Sequence, residues 1–294
     1  MKRPQWITIG VAVIAIAAIF VFVRTVPKEK ATQAEEVHSP DDGHDHGPAP
    51  AQPEQAVISI DSILTVAKNQ LTPEQSTRLS LLESSITRGD VKDQQLKVYH
   101  QLSHFWGDSM GYFHPYAWYE AEAARLENSE KSLTFAARLF LDYLQQEPNA
   151  ALRRWEAEQA KDLFERSLKV NPDNDSAKVG LGATYLFGGL SATPMEAIAK
   201  IREVAQRDSA NVYAQLTLAK ASVISGQLDK AIERLILADR VQPGNIETIL
   251  MLADVYERQD KKAEAADWYE KSLPLVKRAD MKGEIEKRIS ALRK

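Results

Sequence analysis

The chain contains no cysteine among its 294 residues. That excludes disulfides, iron–sulfur clusters, thiolate zinc sites, a cysteine nucleophile and any anchor attached through a cysteine. Glycine and proline are sparse, 13 of each, few for a protein rich in tight turns, so the composition favours helices. No charge sign dominates. The 37 basic and 41 acidic residues leave a net charge of −4, which argues against a strongly basic nucleic-acid binder, and nucleic acid is not expected among the partners. Phosphate-binding Gly-rich loops, His-Glu-x-x-His and Gly-x-Ser-x-Gly are all missing. With them go the usual marks of nucleotide, metalloprotease and serine-hydrolase chemistry. The expectation is a protein that is not an enzyme and carries no cofactor. What is present is an ordinary globular mixture, 44% hydrophobic and 27% charged, with enough apolar side chains to bury a core.

That average hides unlike segments. Trp6 to Val23 is apolar except for Thr8 and Gly10, with Lys2, Arg3, Arg24 and Lys28 on its flanks. Such a helix would span about 27 Å, close to the hydrocarbon thickness of a bilayer. A cleaved signal peptide has a shorter apolar stretch, about 7–15 residues, and a small-x-small cleavage site. This run is longer and ends in Phe20-Val21-Phe22-Val23-Arg24, so residues 1–23 read as a single transmembrane anchor. Residues 24–56 read as a disordered linker, with Pro27, Pro40, Pro48, Pro50 and Pro53 among acids and few large apolar side chains. His44 and His46, beside Asp41, Asp42 and Asp45, are the linker's candidate metal ligands. The plainer reading is a polar spacer.

From about residue 57 the texture is helical throughout. Ile60, Ile63, Leu64 and Ala67 have helical spacing, and Thr72-Pro73-Glu74-Gln75 reads as a helix start with Thr72 as N-cap. Leu96, Tyr99, Leu102, Phe105 and Trp106 form another apolar stripe. Further helices are expected at about 116–127, 131–146 and 151–170. No sustained strand alternation and no Asn-Gly hairpin signal occurs.

The strongest signal is internal repetition. Ala197, Ala231 and Ala265 are spaced by 34 and 34, with Ile201, Leu235 and Tyr269 four residues after each. Leu181-Gly182, Leu218-Ala219 and Leu252-Ala253 are spaced by 37 and 34, and Gly189 matches Gly226. Small residues at Gly182, Ala219 and Ala253 would let the two helices of each unit approach closely. One unit cannot cover its own apolar face, so units stack. A 34-residue period with two helices per unit resembles the tetratricopeptide repeat (TPR) family. The resemblance implies an all-α fold: an α-solenoid of antiparallel helix pairs, with degenerate helical repeats over 57–174, three repeats over 175–278 and a capping helix over 279–294.

It also implies a function, namely protein–protein binding in the groove lined by the first helix of each unit. By register that groove maps to Val179, Ala183, Leu186 and Phe187, then Leu216, Lys220, Val223 and Ile224, then Leu250, Asp254, Glu257 and Arg258. The family's clamp for chaperone C-termini needs basic and amide side chains where this chain has Val179, Ala183, Glu247 and Met251, so the expected ligand is instead a helix, a peptide or an apolar segment of another protein. The anchor and groove together suggest a membrane-anchored adaptor in envelope complex assembly or protein biogenesis. Its solenoid would lie in the periplasm of a bacterial inner membrane. The alternative is a metal- or haem-handling accessory protein. It would use the linker histidines, or His100 and His104, which sit four apart in the aromatic-rich stretch from Tyr99 to Tyr119.

Overall fold

Several of the described helices begin at a capping side chain, among them Ser59, Ser129, Asn149 and Asn174. The computed structural model describes residues 58–86, 91–190 and 194–294. The apolar run Trp6–Val23, the linker with His44 and His46, and the Gly89-Asp90 break lie outside the described residues. Among the described residues the protein is all helical with no strand, and no helix is long and apolar enough to cross a membrane.

Thirteen helices follow in order among these residues. They are α1 (Ile60–Lys68), α2 (Pro73–Ile86), α3 (Lys92–His104), α4 (Phe113–Glu127), α5 (Glu130–Leu144), α6 (Ala150–Val170), α7 (Asp175–Phe187), α8 (Pro194–Arg207), α9 (Val212–Ile224), α10 (Leu228–Val241), α11 (Ile246–Arg258), α12 (Lys262–Ser272) and α13 (Ala279–Leu292). The start of α2 has the cap expected at Thr72, and Gln75 reciprocates it. The Gln75 N–H donates to Thr72 Oγ1 at 3.3 Å, and the Thr72 N–H donates to Gln75 Oε1 at 2.8 Å. These bonds satisfy backbone donors that the first helical turn leaves without partners.

The repeats carry a second punctuation that residue spacing alone did not bring out. Asn174, Asn211 and Asn245 cap α7, α9 and α11, each accepting from the N–H three residues on, at 2.9, 2.9 and 3.1 Å. The turn inside each unit is also fixed by geometry. Gly189, Gly226 and Asp260 take positive φ values of 66°, 73° and 58°, at the same 37 and 34 spacing as the caps. Aspartate is among the few side chains that tolerate this left-handed region, so the third turn forms without a glycine.

Within the first unit, a Cβ added at Gly182 would lie 2.6 Å from Ile201 Cγ1 and 3.2 Å from the Ala197 carbonyl oxygen. Hydrogen at this position is what lets α7 and α8 touch. Ala219 and Ala253, the equivalents, are fully buried opposite Ala231 and Ala265, which are also fully buried. Ile201 packs with Val179, Val204, Ala214 and Leu218, bridging α7, α8 and α9, and Leu235 does the same between α9, α10 and α11. The segment α13 lays Ile285 and Ile289 on Ala266 and Val276, closing the apolar end of the stack. The fold is an α-solenoid of the tetratricopeptide kind, in which each unit covers its neighbour.

Upstream the helices are held by larger side chains. The stripe through Phe105 and Trp106 does not continue as α-helix. α3 passes into a π-helical turn, Phe105–Met110, and leaves it at Gly111 with φ 72°. Both Phe105 and Trp106 are thereby fully buried, in a cluster with Leu79, Val98, Leu102 and Tyr119. The 21-residue α6 pairs with α5 and carries Phe164, whose ring would lie 2.2 Å from a Cβ at Gly180 of α7. A hydroxyl and amide network also ties α5, α6 and α7 together. Thr134 and Ser167 hydroxyls are 2.8 Å apart, and Asn174 Nδ2 donates to Thr134 Oγ1 at 3.0 Å.

Candidate protein-binding groove

The first helices α5, α7, α9 and α11 present a shared face with two adjoining clefts of about 360 and 380 Å³. Gln145, Phe187 and Lys220 line both. The first cleft is apolar at the helix ends. Leu186 and Phe187 close α7, Val223 and Ile224 close α9, and Met251 and Val255 come from α11. Ile224 is 74% exposed, so a large aliphatic side chain stands in solvent at the lip of this cleft.

The second cleft is polar. Lys220 Nζ bridges Glu247 Oε1 at 2.7 Å and Gln145 Oε1 at 3.3 Å, linking α9 to both α11 and α5. Arg138 of α5 stacks its guanidinium over the Tyr213 ring, 4.7 Å from the centroid, a favourable cation–π geometry. The Tyr213 hydroxyl is buried in this wall with no hydrogen-bond partner, and burial raises its pKa above the ordinary tyrosine value. It therefore stays a neutral donor. Arg138, Arg153 and Lys220 face Asp142, Glu247 and Asp254 around the two clefts, so the groove is mixed in charge.

The structure sorts the residues assigned by repeat register. Leu186, Phe187, Lys220, Val223, Ile224 and Asp254 line the first cleft. Ala183 and Leu216 line the second, though both are nearly covered. Val179 is not in the groove. It is fully buried between α7, α8 and α9 with Ile201 and Leu218, because the α7 face at that turn is already taken by the neighbouring unit. Leu250 packs towards α12 and α13 with Ala266 and Ile285. Glu257 is occupied by the cap, with Arg288 Nε donating to its Oε2 at 2.9 Å. It is also the acceptor for the Tyr269 hydroxyl, whose pKa rises to about 12, mainly through burial and also through the nearby Glu257 charge. Arg258 pairs with Asp254 one turn earlier, at 2.7 Å.

Glu247 and Met251, the clamp positions of the third unit, also line the clefts, whereas register did not point to Arg138, Asp142 and Gln145 from α5 and its end, or to Tyr213. The i, i+4, i+7 pattern of Arg138, Asp142 and Gln145 was available as a signal, and so was Tyr213, Thr217, Lys220.

His100 and His104 do not converge on one centre. His100 Nδ1 lies 3.6 Å from Glu120 Oε1, whereas His104 Nδ1 lies 2.8 Å from Asp108 Oδ2, and both rings are well exposed. His44 and His46 lie outside the described residues.

No family model and no curated protein matches the chain. Among solved structures it is similar to MamA (41-end) from Desulfovibrio magneticus RS-1, at 23% identity and TM-score 0.42 over 64% of this chain and 96% of that one. It is also similar to PilW, a widely conserved type IV pilus biogenesis factor, at 19% and 0.46 over 66% and 86%. A third is YrrB, a TPR protein with an unusual peptide-binding site, at 14% and 0.38 over 70% and 97%.

Proposed function

We propose that the face formed by α5, α7, α9 and α11 binds an amphipathic segment of another protein, and that the chain is an adaptor without catalytic activity of its own. The observation that carries this reading is Ile224, a large aliphatic side chain that is 74% exposed in a cleft it shares with Phe187, Val223 and Met251. An apolar group held in water on a concave face favours a partner that covers it. The adjoining polar cleft, with the Lys220–Glu247 pair, would read the polar side of the same segment and set its direction.

The sequence supplies the setting. The apolar run Trp6–Val23 with basic flanks supports a single-pass anchor in an inner membrane. The linker 24–56 would hold the solenoid off that surface. On this reading the solenoid lies on the periplasmic side and serves envelope complex assembly or protein biogenesis. An alkaline phosphatase fusion at Lys294 is then active, and an inactive but stable fusion places the solenoid on the other side.

The test of the groove is quantitative capture of partners by the purified protein, compared with two variants. Ile224→Glu charges the cleft, and Met195→Glu charges α8 at a residue 66% exposed that lines neither cleft. Both changes are at the surface and cost less than about 0.5 kcal/mol of stability. Loss of the captured partners with Ile224→Glu and their retention with Met195→Glu supports the groove. Equal capture by all three proteins removes it.

A further inference from the structure

Away from the groove, three side chains distant in sequence meet where α4, the α5–α6 turn and α6 come together. His114, the second residue of α4, directs Nε2 to Glu156 Oε1 of α6 at 2.7 Å. Glu147, in the turn between α5 and α6, completes the set. One ligand atom from each of the three residues lies within 4.8 Å of the others. The His114 ring is fixed by aromatic neighbours, with Tyr143 edge-on at 5.4 Å and Trp155 at 6.0 Å between centroids. Glu147 is fixed by its own turn, accepting the Asn149 N–H at 2.8 Å.

A second observation points to a ligand. The Glu156 side chain is 0% exposed, yet its Oε2 has no hydrogen-bond partner. A buried carboxylate oxygen without a donor is costly, and such orphans call for an explanation. An imidazole nitrogen with two carboxylates is a donor set for borderline divalent ions such as zinc, while calcium and magnesium take oxygen ligands. Two carboxylates and a neutral imidazole also balance a dication. The cluster can be reached from solvent, since the His114 side chain is 18% exposed.

We propose that His114, Glu147 and Glu156 bind a divalent transition-metal ion of the zinc class, tying the start of α4 to the α5–α6 hairpin. Ligand atoms around a tetrahedral zinc lie about 3.4 Å apart. Binding therefore replaces the proton shared by His114 and Glu156, widens that pair from 2.7 Å and draws Glu147 inward. Three protein ligands leave the fourth position to water.

The experiment titrates zinc sulfate into the chelator-stripped full chain, followed by calorimetry and by the thermal midpoint. The linker histidines are removed as a background in the variant His38→Ala, His44→Ala, His46→Ala. The expected result is one zinc per chain in this background, with the midpoint raised by about 5 °C or more at a hundredfold excess over Kd. Calcium at the same concentration produces no shift. Glu147→Gln, at a half-buried turn position that need not disturb the helices, weakens zinc at least tenfold. His114→Ala abolishes binding, while His100→Ala together with His104→Ala leaves it unchanged. Two results overturn the proposal: zinc binding that vanishes with the linker histidines, or an unaltered affinity in Glu147→Gln with native helicity. The readout is independent of partner binding, so it stands or falls separately from the groove.

Discussion

The two halves of the described structure share buried alanines between helices but differ in the large side chains that fill the remaining space. In α7–α12 the helices of a unit touch through hydrogen atoms and methyl groups, at Gly182, Ala219 and Ala253, and the largest fully buried side chains are Ile201, Leu235 and Ile249. In α3–α6 buried alanines such as Ala121, Ala137 and Ala160 are joined by rings. Trp106, Phe105, Phe140 and Phe164 are all fully buried there. In the C-terminal half the small positions recur at the repeat spacing, as at Ala197, Ala231 and Ala265. Large fillers demand individual shapes, and the π-helical turn at Phe105–Met110 is one such adjustment. The two modes meet where Phe164 of α6 lies under Gly180 of α7.

That seam is where the comparison breaks most easily. Phe164→Ala is expected to cost about 3–5 kcal/mol, read by chemical denaturation. Gly180→Ala alone forces a Cβ into the Phe164 ring and destabilises, but in the Phe164→Ala background its cost disappears because the cavity accepts it. Additive losses in the double variant would mean that the ring and the glycine are not partners.

A smaller effect tests the methyl-and-hydrogen mode. Gly182→Ala overpacks α7 against Ile201 and should cost about 1–3 kcal/mol. Because solenoid units feel mainly their neighbours, hydrogen exchange should quicken in α7 and α8 and stay unchanged in α11 and α12. Equal loosening throughout would show that the array unfolds as one body.

The smallest effect belongs to the ring-filled half, where charges supplement the core. Arg125 bonds Asp162 at 3.0 Å and Glu122 at 2.7 Å, and Arg166 also bonds Asp162. Burial alone would raise the Asp162 pKa, but hydrogen bonds from Arg125 and Arg166 outweigh it and hold it below the ordinary value of 3.8. The folded pKa is thus lower than the unfolded one. The contribution to stability is full above 3.8 and is lost as pH falls through the lowered value. Wild type should exceed Asp162→Asn in stability at neutral pH, and the two melting curves should converge in strong acid. A gap that persists there would mean that packing rather than charge is responsible.

Much of the repeat architecture was readable because its causes are local. The Thr72–Gln75 cap needs only residues three apart. The 34-residue spacing of Ala197, Ala231 and Ala265 reflects one helix pair at a time. Asp260 escaped notice because its left-handed backbone is a geometric equivalent of Gly226, not a chemical one. Val179 was assigned to the groove because register gives a face but does not say which neighbour covers it. The α5 contribution was missed because its pair does not keep the period.

Amino-acid order by itself determined the helical content, the punctuation by Asn174, Asn211 and Asn245, and the close approach at Gly182, all of which depend on side-chain size and on hydrogen bonds within a few residues. Only the tertiary structure decided which faces met. It joined α5 to α9 through Arg138 and Tyr213, covered Val179, and brought His114 to Glu156 across 42 positions. The physical reason is that burial and electrostatic contact depend on the packing of whole helices, and no local spacing encodes that packing.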